Sequence, residues 1–105
     1  MSWFGVDQAS SFKDGERRTI DIDGVNVLIV NLGGEYFAVE DLCSHEAYAL
    51  SGGTIEGGEI VCPFHGAKFC LKSGSATAAP AYESIESFPV KVEDGVVFVR
   101  DHRWD

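Results

Sequence analysis

Basic residues are scarce in this chain: eight lysines and arginines stand against seventeen aspartates and glutamates, a formal charge of −9 over 105 residues. The few bases are scattered, with no cluster to grip phosphates, so nucleic acid and anionic membrane are poor partners. No apolar run approaches the roughly 20 residues of a membrane span. The start, MSWFGVDQAS, has neither the basic segment nor the apolar stretch of a secretion signal, and a cytoplasmic protein is expected. Only three prolines accompany twelve glycines, which argues for a folded, turn-rich domain. Helical periodicity is missing throughout. The cysteines number three, an odd count that argues against a disulfide framework and for metal or redox chemistry.

What is present is the pattern of a sheet protein: short apolar runs and period-two alternation bounded by turn residues. Strands are expected over 3–6, 16–22 and 25–32, with Asp23-Gly24 as a two-residue hairpin turn, and over 35–40 after Gly33-Gly34. Near the C-terminus FPVKVEDGVVFVR repeats the device: Phe88, Val90 and Val92 alternate, and Asp94-Gly95 leads into 96–100. These two hairpins are expected to share one framework. Residues 41–81 differ in kind, being rich in glycine, serine and alanine, with short strands at 59–61 and 67–71. The expectation is one all-β domain spanning 1–105, in which 1–40 and 82–105 form an antiparallel base and 41–81 a loop-built subdomain.

That subdomain contains CSHEAYALSGGTIEGGEIVCPFHG, residues 43–66, with two of the three cysteines and two of the three histidines. Each arm is mixed: C-x-H at Cys43 and His45, then C-x-x-H at Cys62 and His65, with 16 residues between the arms. Tetrahedral zinc accepts two thiolates and two imidazoles, but its usual fingers place like residues together in each arm. A binuclear [2Fe–2S] cluster has a use for mixed arms, because two loops lying side by side can send both sulfurs to one iron and both nitrogens to the other.

The two arms, together with CPFHGAKF and the glycines at 52, 53, 57 and 58, resemble the Rieske iron–sulfur signature as it occurs in the ferredoxins of bacterial aromatic-ring dioxygenase systems. The resemblance implies a Rieske-like β-sandwich base with a two-loop cluster-binding subdomain. It implies that Cys43 and Cys62 ligate the inner iron, and that His45 and His65 ligate the outer iron facing solvent. It further implies a one-electron carrier, not itself an enzyme. Its donor would be an NAD(P)H-dependent flavoprotein reductase and its acceptor a Rieske non-haem iron ring-hydroxylating oxygenase. A monomer without a small-molecule substrate is expected.

High-potential members of the family have a further cysteine in each loop, and serine and tyrosine hydroxyls that donate to the cluster. Here Tyr48 and Phe64 stand at the cysteine positions, and Ala67 and Phe69 at the hydroxyl positions. Without those donors the reduced state is less stabilised, which predicts a potential near the bottom of the Rieske range, about −150 mV. Gly66 is expected to bring backbone N–H groups close to the cluster.

The remaining candidates are read more plainly. Cys70 is expected as a buried thiol on the face opposite Phe69, and His102 as a solvated residue of the polar tail DHRWD. Asp41, Glu46, Glu56 and Glu59 could make the loop tips acidic enough to select a basic docking site, against which Lys68 and Lys72 weigh. Other readings stay open: a Rieske small subunit of another oxidoreductase such as assimilatory nitrite reductase, a zinc-stabilised interaction module, or an iron–sulfur sensor.

Overall fold

A computed structural model of the chain describes residues 3–43, 49–63, 66–79 and 83–102. The strands are β1 (Trp3–Gln8), β2 (Arg17–Ile22), β3 (Val25–Leu32), β4 (Glu35–Glu40), β5 (Ile55–Glu56) and β6 (Glu59–Val61). After them come β7 (Lys68–Cys70), β8 (Ala76–Ala78), β9 (Ser87–Phe88), β10 (Val90–Glu93) and β11 (Val96–Arg100). Three antiparallel sheets result, ordered β1-β11-β10, β2-β3-β4-β9 and β5-β6-β7-β8.

The hairpins follow from their turns. Asp23-Gly24 and Asp94-Gly95 take positive φ at both central residues (50° and 84°; 51° and 75°), the type I′ geometry whose twist matches that of paired strands. Asp21 supports the first turn by accepting the Gly24 N–H at 2.9 Å. Register is then fixed from Ile22 opposite Val25 to Arg17 opposite Val30.

The two hairpins expected to share one framework lie in separate sheets. β1 pairs with β11, so the two ends of the chain close one sheet, while β2 and β3 belong to the other. Phe12, Ile22, Val27, Ile29, Ala38, Phe88, Val97 and Val99 form an apolar core to which both sheets contribute.

A second core sits on the opposite side of β3. Leu28 and Val30 of β3 join Val39, Cys43, Leu50, Ile60, Cys62, Ala67, Phe69, Leu71 and Ile85. Thus β3 is buried on both faces, odd-numbered residues in one core and even-numbered in the other, which explains why VNVLIVNL reads as a nearly continuous apolar run.

Residues 41–81 contain more regular structure than the loop-built subdomain expected from sequence, for β5 to β8 make a four-stranded sheet. β5 has two residues and β8 is Ala-Thr-Ala; neither carries an apolar period that sequence could show. The sheet is tied back to the middle layer through Ile85 N–H to the Gly74 carbonyl at 2.9 Å and Glu40 N–H to the Glu86 carbonyl at 2.8 Å.

Gly74 is required at that junction. Its φ is +78°, and a side-chain carbon there would overlap the Ile85 carbonyl oxygen, whereas Gly15, at φ +83°, faces open space. Gly15→Ala is expected to lower stability by about 1–2 kcal/mol through backbone strain alone. Gly74→Ala is expected to lower it by about 3 kcal/mol or more, since overpacking adds to the strain. Denaturant midpoints of the two variants check this, and equal losses would refute the close-approach argument.

Candidate metal centre

The two cysteines of the mixed arms come from different elements and meet in one core. Cys43 follows β4 after the bend at Asp41 and Leu42, and Cys62 follows β6 directly. Both are almost fully buried, at 1% and 2% exposure, within the apolar cluster that includes Leu50, Ile60, Ala67, Phe69 and Leu71. No disulfide joins any of the three cysteines.

Each cysteine stands at the foot of a closed loop. Cys62 N–H donates to the Ala67 carbonyl at 2.7 Å, and the Cys62 carbonyl accepts the Gly66 N–H at 3.1 Å, closing residues 62–67. On the other arm Asp41 Oδ1 accepts the N–H groups of Leu50 and Ser51 at 2.7 and 2.8 Å, closing residues 41–51. His45 and His65 belong to these loops by sequence, two and three residues beyond their cysteines, and lie outside the described residues. Among the described residues no group of three or more His, Cys, Asp or Glu side chains is placed to hold a metal.

The model of the Rieske [2Fe-2S] domain matches residues 2–89. The chain belongs to the Rieske [2Fe–2S] family. The 3-phenylpropionate/cinnamic acid dioxygenase ferredoxin subunit of Escherichia coli (strain K12) is 41% identical over 87 residues, covering 82% of this chain and 81% of that protein. Among solved structures, the ferredoxin of carbazole 1,9a-dioxygenase from Nocardioides aromaticivorans IC177 superposes with a TM-score of 0.89 at 29% identity, covering 94% of this chain and 97% of its own. A chain in the complex of reduced oxygenase and oxidized ferredoxin in carbazole 1,9a-dioxygenase gives a TM-score of 0.87 at 34% identity, covering 92% and 91%.

The cofactor of this Rieske domain is a [2Fe–2S] cluster, and the described part of the site fits it. A thiolate in an apolar core is disfavoured unless a cation offsets its charge. Two such sulfurs, from residues buried in one apolar cluster with Phe69 and Leu50, are suited to ligating one iron away from water.

Gly66, with φ +75°, turns the backbone at the foot of the loop, and its own N–H is taken by the Cys62 carbonyl. Two other expectations are corrected. Cys70 is half-buried rather than buried, because β7 alternates and Phe69 takes the core side. His102 is not a solvated tail residue. Its ring meets Phe88 edge-on at 5.8 Å, its Nε2 lies 3.7 Å from Glu86 Oε1, and its buried Nδ1 has no hydrogen-bond partner among the described residues. Phe88 belongs to the other core.

Two of the four acids expected at the loop tips are otherwise engaged. Asp41 is buried at 9% exposure, and the exposed Glu56 pairs with Lys68 at 3.7 Å. Glu46 lies outside the described residues. Arg17, which the sequence gave no reason to select, reaches from β2 to the carbonyls of Ser51 and Gly53 at 2.8 and 2.6 Å.

Ala67 and Phe69, where high-potential relatives carry hydroxyls, are fully buried in the core that holds both cysteines. Ala67→Ser combined with Phe69→Tyr is expected to raise the midpoint potential by roughly 60 mV or more, the value of one charge-assisted hydrogen bond in a one-electron couple. An unchanged midpoint with the cluster intact would show that other donors set the potential.

The Cys70 thiol is held below the ordinary thiol range by hydrogen bonds from the Ser73 side chain and backbone, outweighing a small opposing effect of burial. Alkylation of Cys70 is therefore expected to level off at lower pH than that of an ordinary thiol. Ser73→Ala should move that pH profile upward, as followed by mass spectrometry. A profile that does not move would remove the hydroxyl from the account.

Proposed function

We propose that the chain carries single electrons from an NAD(P)H-dependent flavoprotein reductase to the terminal oxygenase of an aromatic-ring-hydroxylating dioxygenase system. Cys43, Cys62, His45 and His65 hold its cluster. The ligand assignment is carried by the convergence of Cys43 and Cys62 in one apolar core, each at the foot of a closed loop that has a histidine two or three residues further on. The acceptor is supported by the relatives: one is a ferredoxin subunit of a dioxygenase, and another is seen with its oxygenase. The reductase follows from the chemistry, because a one-electron carrier fed from a two-electron hydride donor needs a flavin to split the pair.

When bound, the cluster takes up and releases one electron at a potential above that of an all-cysteine cluster, since neutral imidazoles replace two thiolates. The chain's own residues contribute position and exclusion. Cys43 and Cys62 supply the buried sulfurs, Leu50, Ile60 and Phe69 pack around them, and the two loop closures fix where each arm leaves the core. The oxygen chemistry is assigned to the oxygenase, which matches the naming of the relatives as ferredoxins.

No helix among the described residues is long and apolar enough to cross a membrane. A cytoplasmic location belongs to the same proposal.

Visible absorption and EPR spectra before and after dithionite, with iron and zinc analysis, test this reading. The expected result is a red-brown protein with about two irons per chain that bleaches on reduction and gives a rhombic Rieske signal. Cys43→Ser, His45→Ala, Cys62→Ser and His65→Ala should each abolish that signal, and the reduced parent protein should be reoxidised by the oxygenase. A colourless protein holding zinc would overturn the reading, and retention of the signal in any one variant would overturn the assignment of that ligand.

A further inference from the structure

Asp41 is the one buried charged side chain among the described residues, and it takes no part in the ligand set proposed above. A buried carboxylate is costly unless hydrogen bonds replace its water. Here one oxygen accepts two backbone N–H groups from residues nine and ten positions further along the chain, Leu50 and Ser51. Arg17 approaches the same segment from the base sheet, its Nη1 donating to the carbonyls of Ser51 and Gly53. Ser51 is thus gripped at both ends, its N–H by an anion and its carbonyl by a cation. Charge-assisted bonds of this kind are about twice as strong as neutral ones.

The gripped segment runs directly between the two cysteine loops. Asp41 stands two residues before Cys43. From Ser51 the chain reaches Gly53, whose N–H donates to the Leu50 carbonyl at 2.8 Å and which lies so close to the Val61 carbonyl oxygen that no side-chain carbon fits. The Val61 N–H in turn donates to the Thr54 carbonyl at 2.8 Å, and Cys62 is the next residue. The connection from one cysteine to the other therefore passes through Asp41, residues 50–54 and Val61, with backbone groups at every link.

We propose that Asp41 and Arg17 are positioning residues that fix the separation of the two cysteine loops and so the geometry in which the cluster is held. This rests on the ligand reading given above. Without the two charges, the segment 50–53 keeps only neutral turn bonds, and the loop bearing Cys43 can shift relative to the loop bearing Cys62.

The test uses the full, cluster-loaded chain and three readouts: the rate of bleaching in an iron chelator, the EPR line positions and widths after reduction, and the melting temperature. Asp41→Ala and Arg17→Met are expected to lose the cluster about tenfold faster, the usual scale for a group that orients a metal ligand, and to broaden or shift the EPR lines. Asp41→Asn keeps an oxygen for both N–H groups but loses the charge, and should fall between the parent chain and Asp41→Ala in bleaching rate and EPR line shape. Val97→Ala, in the other core, should lower the melting temperature without altering the bleaching rate or the EPR lines.

Parent-like bleaching and EPR in both Asp41→Ala and Arg17→Met would overturn the proposal, as would a Val97→Ala chain of matched melting temperature that bleaches equally fast. If Asp41→Ala does not fold, Arg17→Met, at a half-buried position, decides the matter. A parent chain lacking the Rieske signal would instead overturn the ligand reading itself, which separates the two failures.

Discussion

Burial of β3 on both faces is the constraint on which the rest of the molecule depends. Its odd-numbered side chains, Val27 and Ile29, belong to the core that joins the two base sheets, and its even-numbered ones, Leu28 and Val30, to the core that holds Cys43 and Cys62. Each such aliphatic side chain contributes on the order of 2 kcal/mol when fully buried. A slip of one residue would exchange the two sets and spoil both cores at once. The tight Asp-Gly turn before β3 sets the register, so the position of the cysteine core relative to the base is fixed by local turn chemistry as well as by packing.

At the seam between the two halves, apolar packing cannot by itself place a loop end. Leu50 is buried in the apolar core, but apolar contact is non-directional and does not orient the peptide groups of residues 50–53. Directionality comes from polar groups: Asp41 on the N–H side, Arg17 on the carbonyl side, and Gly53 pressed against Val61. The same seam explains why the cysteines tolerate an apolar setting. Deprotonated thiols there need a metal to offset their charge, so cluster binding and the packing of this core are coupled, as in other small metal-containing domains.

The parts of the fold that the chain reveals are those written in local chemistry. The Asp23-Gly24 and Asp94-Gly95 turns and the spans of β3 and β11 are readable because positive φ and short apolar runs leave a mark on neighbouring residues. The spacing of the two Cys/His arms is local in the same sense, and it is what drew attention to the site. The two-residue β5 and the Ala-Thr-Ala β8 escape because their pairing is carried by backbone groups. The roles of Asp41 and Arg17 leave no such mark, since their partners lie nine to thirty-six residues away and are backbone atoms of unremarkable residues. Nothing in the identity of Ser51 or Gly53 announces that it will be held by a charge. The packing of His102 is hidden for the related reason that its partner, Phe88, is distant in sequence.

The distribution of charge bears on how a partner is met. Several of the few cations are engaged within the chain: Arg18 with Asp7 at 2.9 Å, Lys68 with Glu56 at 3.7 Å and Lys91 with Glu93 at 3.3 Å. Arg17 is turned inward upon backbone carbonyls. The excess of nine negative charges is therefore spread over the surface as a diffuse field, with Asp41 buried at the base of its loop and Glu56 paired with Lys68. A diffuse field of that kind acts at distances comparable to the Debye length, about 8–10 Å at ordinary ionic strength, and governs the rate at which a basic surface is encountered.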